Sequence, residues 1–230
     1  MVHQPVLTNL SAGDWAAIAT AVGTLALALV AALQDVIRSW IRRPDLKMTV
    51  QGAPPDCHKT RATFQTPAGI DSTPCYYFRI AVENVGRTEA REVEVFAASL
   101  TRKRANDEFE KVDRFTPMNL LWSHFRTPFL SVLSPKMPKF CDLGHIHHPN
   151  VRNIFGHTLP GVTGNVMAFD LQVEPNMKGH LIGPGTYRLK LVLGAANAKP
   201  KECEIELIID DEWRDDESAM LSDGFGMKML

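Results

Sequence analysis

The strongest hydrophobic pattern in the chain is an uncharged apolar run close to its start. Between Trp15 and Leu33 there is no charged residue, and this run of about 19 residues approaches the roughly 20 that an α-helix needs to cross a bilayer. Ser11 and Asp14 form a capping-box-like start, and Pro44 ends the helical pattern. The pattern predicts a transmembrane and juxtamembrane helix over residues 12–43, preceded by a short N-terminal segment, residues 1–11.

The residues expected to contact the membrane lie along this helix and at its ends. Tryptophan side chains favour the lipid–water interface, so the two tryptophans of the helix are expected at opposite interfaces. Basic residues follow the helix, whereas only His3 and the amino terminus precede it. The positive-inside rule therefore predicts a single-pass protein of the cell membrane, with a cytoplasmic C-terminal domain and reduced thiols. The predicted membrane residues are Trp15, Leu25, Leu29, Leu33, Trp40, Arg42 and Arg43.

Two other interpretations of the apolar run remain open. A cleaved signal peptide would have Ala26-Leu27-Ala28 as its cleavage site, although residues 1–14 contain no Lys or Arg of the kind that begins such a signal. A buried helix of a soluble fold also fits the run. If the helix spans a membrane, its stripe of small residues would let a second helix approach closely, which makes self-association a further candidate. The stripe consists of Ala17, Ala21, Thr24, Ala28 and Ala32.

After Pro44 the pattern changes to the alternation of apolar and polar residues that is typical of β-strands. The Pro-containing segment from Gly52 to Pro74 is expected to be a long loop. Short strands separated by turn signals predict an antiparallel sandwich over residues 44–209, followed by an acidic and then apolar C-terminal tail, residues 210–230. The clearest alternating runs are Leu46–Val50, Tyr76–Val82, Ala90–Leu100, Tyr187–Leu193 and Cys203–Ile209.

Two stretches of this domain resemble a known class of module. In YYFRIAVENVGRTEAREVEV an alternating strand ends in an Asn-x-Gly turn at Asn84 and Gly86, and the small residue Ala90 opens the next strand. This stretch resembles the strand–turn–strand of bacterial immunoglobulin-like modules, and GPGTYRLKLVLGAANAKPKECEIELII resembles their closing hairpin. The layout is also similar to that of uncharacterised membrane-anchored bacterial proteins. The resemblance implies a mainly β, antiparallel immunoglobulin-like sandwich, and it brings no catalytic residues.

Charge and cysteine content narrow the expected partners. A formal net charge of −1 and an isoelectric point near 6.7 give no global field that would attract a polyanion, so nucleic acid is not an expected partner. The four cysteines are spread singly, without a CxxC pair. Neither a dense disulfide framework nor a familiar zinc motif is therefore indicated.

The most suggestive chemistry lies in CDLGHIHH, residues 141–148. Thiolate and imidazole are ligands that zinc prefers, and His145 and His147 would share one face of a strand. His124 and His157 lie in the same region, but no second Cys/His pair follows at a recognised spacing. The preferred interpretation is a small buried Cys141 beside histidines on an exposed loop. We expect no metal, cofactor or catalytic residue, and Cys141, His145 and His147 remain weak metal candidates.

These patterns favour a membrane-anchored module for protein interaction or sensing, without catalysis. Its expected partners are membrane lipid, another protein, and a second copy of the chain through the helix. One alternative is a membrane-acting effector whose helix oligomerises or perturbs the bilayer on a signal from the β domain. A second alternative is a metal-dependent enzyme built on the Cys/His segment.

Overall fold

The computed structural model describes residues 11–41 and 43–230, and for residues 35–41 it describes the backbone alone. The chain divides into two units, Met1–Arg43 and Pro44–Leu230. Of the predicted membrane residues, Arg42 lies outside the described part, and Trp40 is described without its side chain. Residues 1–10 of the N-terminal segment also lie outside the described part.

The first unit contains one helix, α1, which spans Ala12–Ile41. It begins with a reciprocal cap: the Asp14 amide donates to Ser11 Oγ at 3.2 Å, and the Ser11 amide donates to Asp14 Oδ2 at 2.8 Å. The predicted start of the helix is therefore confirmed. The segment Ala12–Gln34 is long and apolar enough to cross a membrane, and none of it is buried within the protein. The exposed side chains include the predicted membrane residues Trp15, Leu25, Leu29 and Leu33.

The second unit consists mainly of antiparallel strands. In chain order these are β1 Leu46–Thr49, β2 Cys57–Thr66, β3 Gly69–Asn84, β4 Ala90–Lys103, β5 Phe109–Lys111, β6 Met118–Asn119, β7 Leu121–Trp122, β8 Phe129–Leu133, β9 Lys139–His147, β10 Met167–Phe169, β11 Leu181–Ile182, β12 Gly185–Ala195, β13 Ala198–Ile209 and β14 Phe225–Met229. One short α-helix, α2 at Glu217–Ala219, and a π-helical turn at Met220–Gly224 lie between the last two strands.

The strands form two sheets. The first has the order β1-β3-β9-β10-β11, with β2 also paired to β3 and β7 to β9. The second has the order β14-β13-β12-β4-β5, with β6 and β8 also paired to β4. The predicted fold class, mainly β with two antiparallel sheets after one apolar helix, is confirmed.

Apolar side chains from both sheets form one continuous core. Phe78 of the first sheet stacks on Phe225 of the second with ring centroids 3.6 Å apart. The indole N–H of Trp122 donates to the Val93 carbonyl oxygen at 3.0 Å, so the polar group of this buried ring has a hydrogen-bond partner. The alternating residues of β3 that the sequence assigns to one face, Tyr76, Phe78, Ile80 and Val82, are all fully buried in this core.

Three segments differ from the sequence prediction. The expected loop over 52–74 contains β2, which pairs along β3. Most of β2 is half-buried and its sequence, CHKTRATFQT, is mainly polar, so it shows no apolar alternation. The expected exposed loop of histidines is β9, whose last seven residues are all buried. The segment after Ile209 ends in β14, which pairs with β13. The final residues therefore extend the second sheet.

The Asn-x-Gly turn between β3 and β4 is held by one buried amide. Asn84 Oδ1 accepts from the backbone amides of Asp45 (3.2 Å) and Gly86 (3.0 Å). Asn84 Nδ2 donates to the carbonyl oxygens of Thr88 (2.7 Å) and Leu133 (3.1 Å). Because Asn84 is fully buried, this side chain joins the start of β1, the turn and the end of β8.

Replacing Asn84 tests this turn. We expect Asn84→Ala to lower the free energy of unfolding by about 2–3 kcal/mol, because buried backbone groups lose their partners. Chemical denaturation of the full chain in detergent measures the change. Asn106→Ala is the matched control: among the described residues, the side chain of this exposed asparagine bonds to Glu108 alone, in the β4–β5 turn, and we expect a loss of about 0.5 kcal/mol or less. Equal losses in the two variants would contradict the role assigned to Asn84.

Candidate functional site

A bulge in β9 places its candidate ligands on opposite faces of the first sheet. Phe78 pairs with Gly144 and Arg79 with Asp142, so Leu143 is an extra residue in the ladder. Cys141 consequently lies opposite Ile80 on the core face, where its thiol donates to the Leu121 carbonyl oxygen at 3.3 Å. The histidines lie on the outer face, so Cys141 is separated from them by the sheet.

His145 and His147 share that outer face, as their two-residue spacing predicts. They lie opposite Tyr77 and Cys75 of β3, respectively. Both histidines are buried, at 9% and 4% exposure. This is a correction to the predicted exposed loop: the chain that follows β9 folds back over its outer face.

His157 completes a group of three buried imidazoles. It lies in the covering segment, residues 148–166, and its Nδ1 is 3.1 Å from Nδ1 of His147. One ring nitrogen from each of His145, His147 and His157 lies within 4.8 Å of the other two. We call these three residues the histidine cluster. The turn over residues 148–157 therefore brings together side chains that the sequence shows only as neighbours in one region.

Two carboxylates adjoin the histidine cluster. Asp170, which follows β10 and is 4% exposed, places Oδ2 3.1 Å from Nδ1 of His145. Glu174, in the loop between β10 and β11, places its two oxygens 3.8 Å from Nε2 of His157 and 3.6 Å from Nε2 of His180. Glu174 is largely exposed, whereas His180 is buried. Asp170 therefore adjoins Nδ1 of His145, and Glu174 adjoins Nε2 of His157, the ring nitrogen opposite the Nδ1 that contacts His147.

A second possible ligand group shares one member with the first. His157, Glu174 and His180 also offer ligand atoms within 4.8 Å of one another. Within the part of the chain that the structure describes, neither ring nitrogen of His180 has a hydrogen-bond partner. A buried polar group without a partner is costly, so His180 is not explained by packing alone.

The covering segment is fixed by buried polar contacts. The Arg152 guanidinium donates to the carbonyl oxygens of Val162 and Gly164, which closes the segment on itself. The Asn165 side chain donates to the carbonyl oxygens of Asp210 and Glu212, at 3.0 and 2.8 Å. A small apolar cluster, separate from the main core, joins the segment to the sheet: Leu159 and Val166 of the segment pack with Ala168 and Leu181. The histidine cluster is therefore buried by a fixed segment and does not lie on an exposed loop.

Aromatic rings restrict two of the imidazoles. Phe155 stacks on His147 with centroids 3.7 Å apart and planes 10° apart. Tyr77 stacks on His145 at 5.2 Å and 27°. Such contacts reduce the rotational freedom of both imidazoles, and so lower the entropy lost on binding a ligand.

Burial keeps His147 and His157 uncharged at neutral pH. It is the largest cause of a pKa lowered to about 3 for His147 and to about 4 for His157, and the neighbouring His145 is the next cause. Burial also lowers the pKa of His180. At neutral pH these side chains are neutral, and each carries one ring nitrogen with a free lone pair.

The nucleophile candidates are not activated. Burial raises the pKa of the Cys57 and Cys75 thiols to about 12 and raises that of Cys141 still more strongly. The Ser123 hydroxyl donates to the Asp142 carboxylate, while His124 beside it is exposed. All four cysteines lie within the described residues and are free thiols.

The sequence pattern identifies two of the three cluster residues. The sequence marks His157 only as a histidine in the same region. Asp170, Glu174 and His180 do not belong to any recognised ligand motif in the sequence. They reach the cluster because β10 and β11 pair next to β9 in the first sheet.

Comparison with known proteins adds no further assignment. No protein-family model matches the sequence, and no curated protein matches it at a significant level. The interpretation of the site consequently depends on its own geometry.

Proposed function

We propose that this chain is a single-pass membrane protein whose β unit binds or senses another molecule at the membrane surface, without catalysis. The observation that carries the proposal is the 23-residue apolar segment Ala12–Gln34, none of which is buried in the protein. Apolar surface left in water costs roughly 25 cal/mol per Å². A bilayer removes that cost for a helix of this length, so membrane lipid is the first proposed partner.

The polar side chains of the helix support this location. The Thr20 hydroxyl donates to the Ala16 carbonyl oxygen and the Thr24 hydroxyl to the Thr20 carbonyl oxygen, each at 2.8 Å. A hydroxyl paired within its own helix costs less in hydrocarbon than a free one. Because both threonine hydroxyls are hydrogen-bonded within the helix, these side chains are compatible with a lipid environment.

Binding without catalysis is supported by the state of the reactive groups. The thiols of Cys57, Cys75 and Cys141 are buried in protonated form, whereas a nucleophilic cysteine needs a lowered pKa. Ser123 bonds to a carboxylate and not to a histidine base. We therefore propose that the unit acts through its surface.

The loop between β10 and β11 is the proposed contact for a protein partner. It carries Val173 and Met177, which are 79% and 80% exposed. Large apolar side chains exposed together on one loop are typical of interaction sites. The same loop contributes Glu174 to the surroundings of the histidine cluster, which places the proposed contact beside a candidate ligand site.

We further propose that the sandwich is of the bacterial immunoglobulin-like kind. The turn at Asn84 and the hairpin of β12 and β13 have the features on which the resemblance depends.

The orientation that we propose places the β unit in the cytoplasm. The positive-inside rule supports it, because Arg38, Arg42, Arg43 and Lys47 follow the apolar segment.

Anchoring is tested by carbonate extraction of membranes from cells that make the full chain. We expect the chain to stay in the membrane pellet at its full length. Leu25→Arg combined with Leu29→Arg should release it to the soluble fraction, because each arginine costs about 2.5–3.5 kcal/mol at a helix centre. The matched control, Leu25→Ile with Leu29→Ile, should remain in the pellet. Recovery of the unaltered chain in the supernatant, or a chain cut after Ala28, would contradict the proposal.

Orientation is tested with a single exposed thiol. We expect Asn106→Cys, in a Cys203→Ser background, to be unlabelled by a membrane-impermeant thiol reagent in intact cells and labelled after permeabilisation. Residue 106 is exposed, whereas the three remaining native thiols are buried. His3→Cys in the same background should show the opposite behaviour. Labelling of Asn106→Cys in intact cells would place the β unit outside.

A further inference from the structure

We propose that His145, His147 and His157 together bind one divalent transition-metal ion, for which Zn²⁺ is the reference, each through one ring nitrogen. The proposal goes beyond the membrane-anchored binding function. It concerns the outer face of β9, which is buried by the covering segment.

The separation of the nitrogens fits a shared ion. At Zn–N distances of about 2.0–2.1 Å, two ligands of a tetrahedral site lie roughly 3.3 Å apart. The Nδ1 atoms of His147 and His157 are 3.1 Å apart, and all three ligand atoms lie within 4.8 Å of one another. Small side-chain rotations bring the third nitrogen to bonding distance, without movement of β9.

The carboxylates direct the lone pairs of the rings. If Nδ1 of His145 donates its proton to Asp170, 3.1 Å away, the lone pair of His145 lies on Nε2. Glu174 lies 3.8 Å from Nε2 of His157 and favours the proton there, which leaves the lone pair of His157 on Nδ1, facing His147. A histidine ligand usually gives its other N–H to a carboxylate in this way.

A purely structural role explains the arrangement less fully. In a purely structural arrangement, His147 and His157 would share one ring proton and His145 would bond to Asp170, but those two bonds do not require a nitrogen from all three rings within 4.8 Å of one another. Within the described residues, neither nitrogen of the buried His180 has a hydrogen-bond partner, and Glu174 lies 3.6 Å from its Nε2. A metal ion accepts three lone pairs at once, and His180 then flanks the bound cation through Glu174.

The donor set indicates the class of ion. Imidazole nitrogens suit Zn²⁺, Co²⁺, Ni²⁺ or Cu²⁺, whereas Mg²⁺ and Ca²⁺ prefer a shell of oxygens. Three protein nitrogens leave a fourth position open to water. Cys141 contributes nothing to the shell, because it lies on the core face of the sheet.

The site joins segments that are distant in sequence. β9 supplies His145 and His147, the covering segment supplies His157, and the β10–β11 loop supplies the flanking Glu174. Because binding of a metal is coupled to the order of the segments that hold it, an ion here would restrict the loop that exposes Val173 and Met177.

The test uses the full chain in detergent micelles, purified through a tag that contains no histidine. After removal of metal with a chelator and a check of the β-sheet circular dichroism, Co²⁺ is titrated and followed by its visible d–d absorption. Zn²⁺ is then added to displace it, and bound zinc is counted by mass spectrometry. We expect one ion per chain, with the intense visible absorption of a four-coordinate Co²⁺ site.

Variants assign the ion to the cluster. His147→Asn should weaken binding at least 100-fold, while the matched His124→Asn should bind as the unaltered chain does. His124 is exposed and has φ 69°, a conformation that asparagine tolerates. Glu174→Ala, at an exposed position that does not endanger folding, should weaken binding about 10- to 100-fold, as loss of an orienting carboxylate does.

Two results would overturn the proposal: no stoichiometric binding by the folded, metal-free chain, or unchanged affinity in both His147→Asn and Glu174→Ala. If the His147→Asn chain lacks the β-sheet spectrum, Glu174→Ala alone decides. Reduced affinity in that variant, with unchanged affinity in His180→Asn, then supports the cluster over the group of His157, Glu174 and His180, and unchanged affinity in Glu174→Ala contradicts it.

Discussion

The structure depends most on the burial of β9 on both of its faces. Its inner face belongs to the core between the sheets, and its outer face is closed by the covering segment and the histidine cluster. The strand also pairs closely with β10: a Cβ at Gly144 would lie 2.3 Å from the Ala168 carbonyl oxygen, so only glycine permits this approach. The position of every cluster residue follows from that packing.

Burial on both faces has an electrostatic consequence. Water does not stabilise charged imidazoles there, so burial lowers the pKa of His147 and His157 and both stay neutral at neutral pH. Their Nδ1 atoms lie 3.1 Å apart, close enough for one ring to donate to the other when no metal is bound. Asp170 and Glu174 provide negative charge at the outer nitrogens of His145 and His157. Neutral donors flanked by carboxylates form an environment that favours a cation at the centre. A cation bound there would couple the order of the β10–β11 loop to the metal content of the compartment in which the β unit lies.

The sequence predicted those parts of the fold that have one buried and one exposed face. The alternation from Tyr76 to Val82, and the hairpin of β12 and β13, follow directly from it. The same criterion fails for β9, whose last seven residues are all buried, and for β2, which is mostly half-buried and mainly polar, because neither has an alternation of apolar and polar residues. The final strand β14 follows an acidic stretch and a π-helical turn, so the sequence places it in the C-terminal tail and not in the sheet. Within the site, the spacing of His145 and His147 correctly places both on one face, but the bulge at Leu143 moves Cys141 to the other face, which a sequence does not reveal. The remaining site residues join through loops and strand pairing, and their separations in the sequence carry no information about their distances.

Metal binding by the histidine cluster is tested most directly by a structure from crystals of the chain that are grown with Zn²⁺. Anomalous scattering is recorded at the zinc absorption edge. We expect one strong anomalous peak about 2.0–2.1 Å from a ring nitrogen of each of His145, His147 and His157, with Asp170 still bonded to Nδ1 of His145. A density map without that peak, in which His147 and His157 keep a direct hydrogen bond, would contradict metal binding by the cluster.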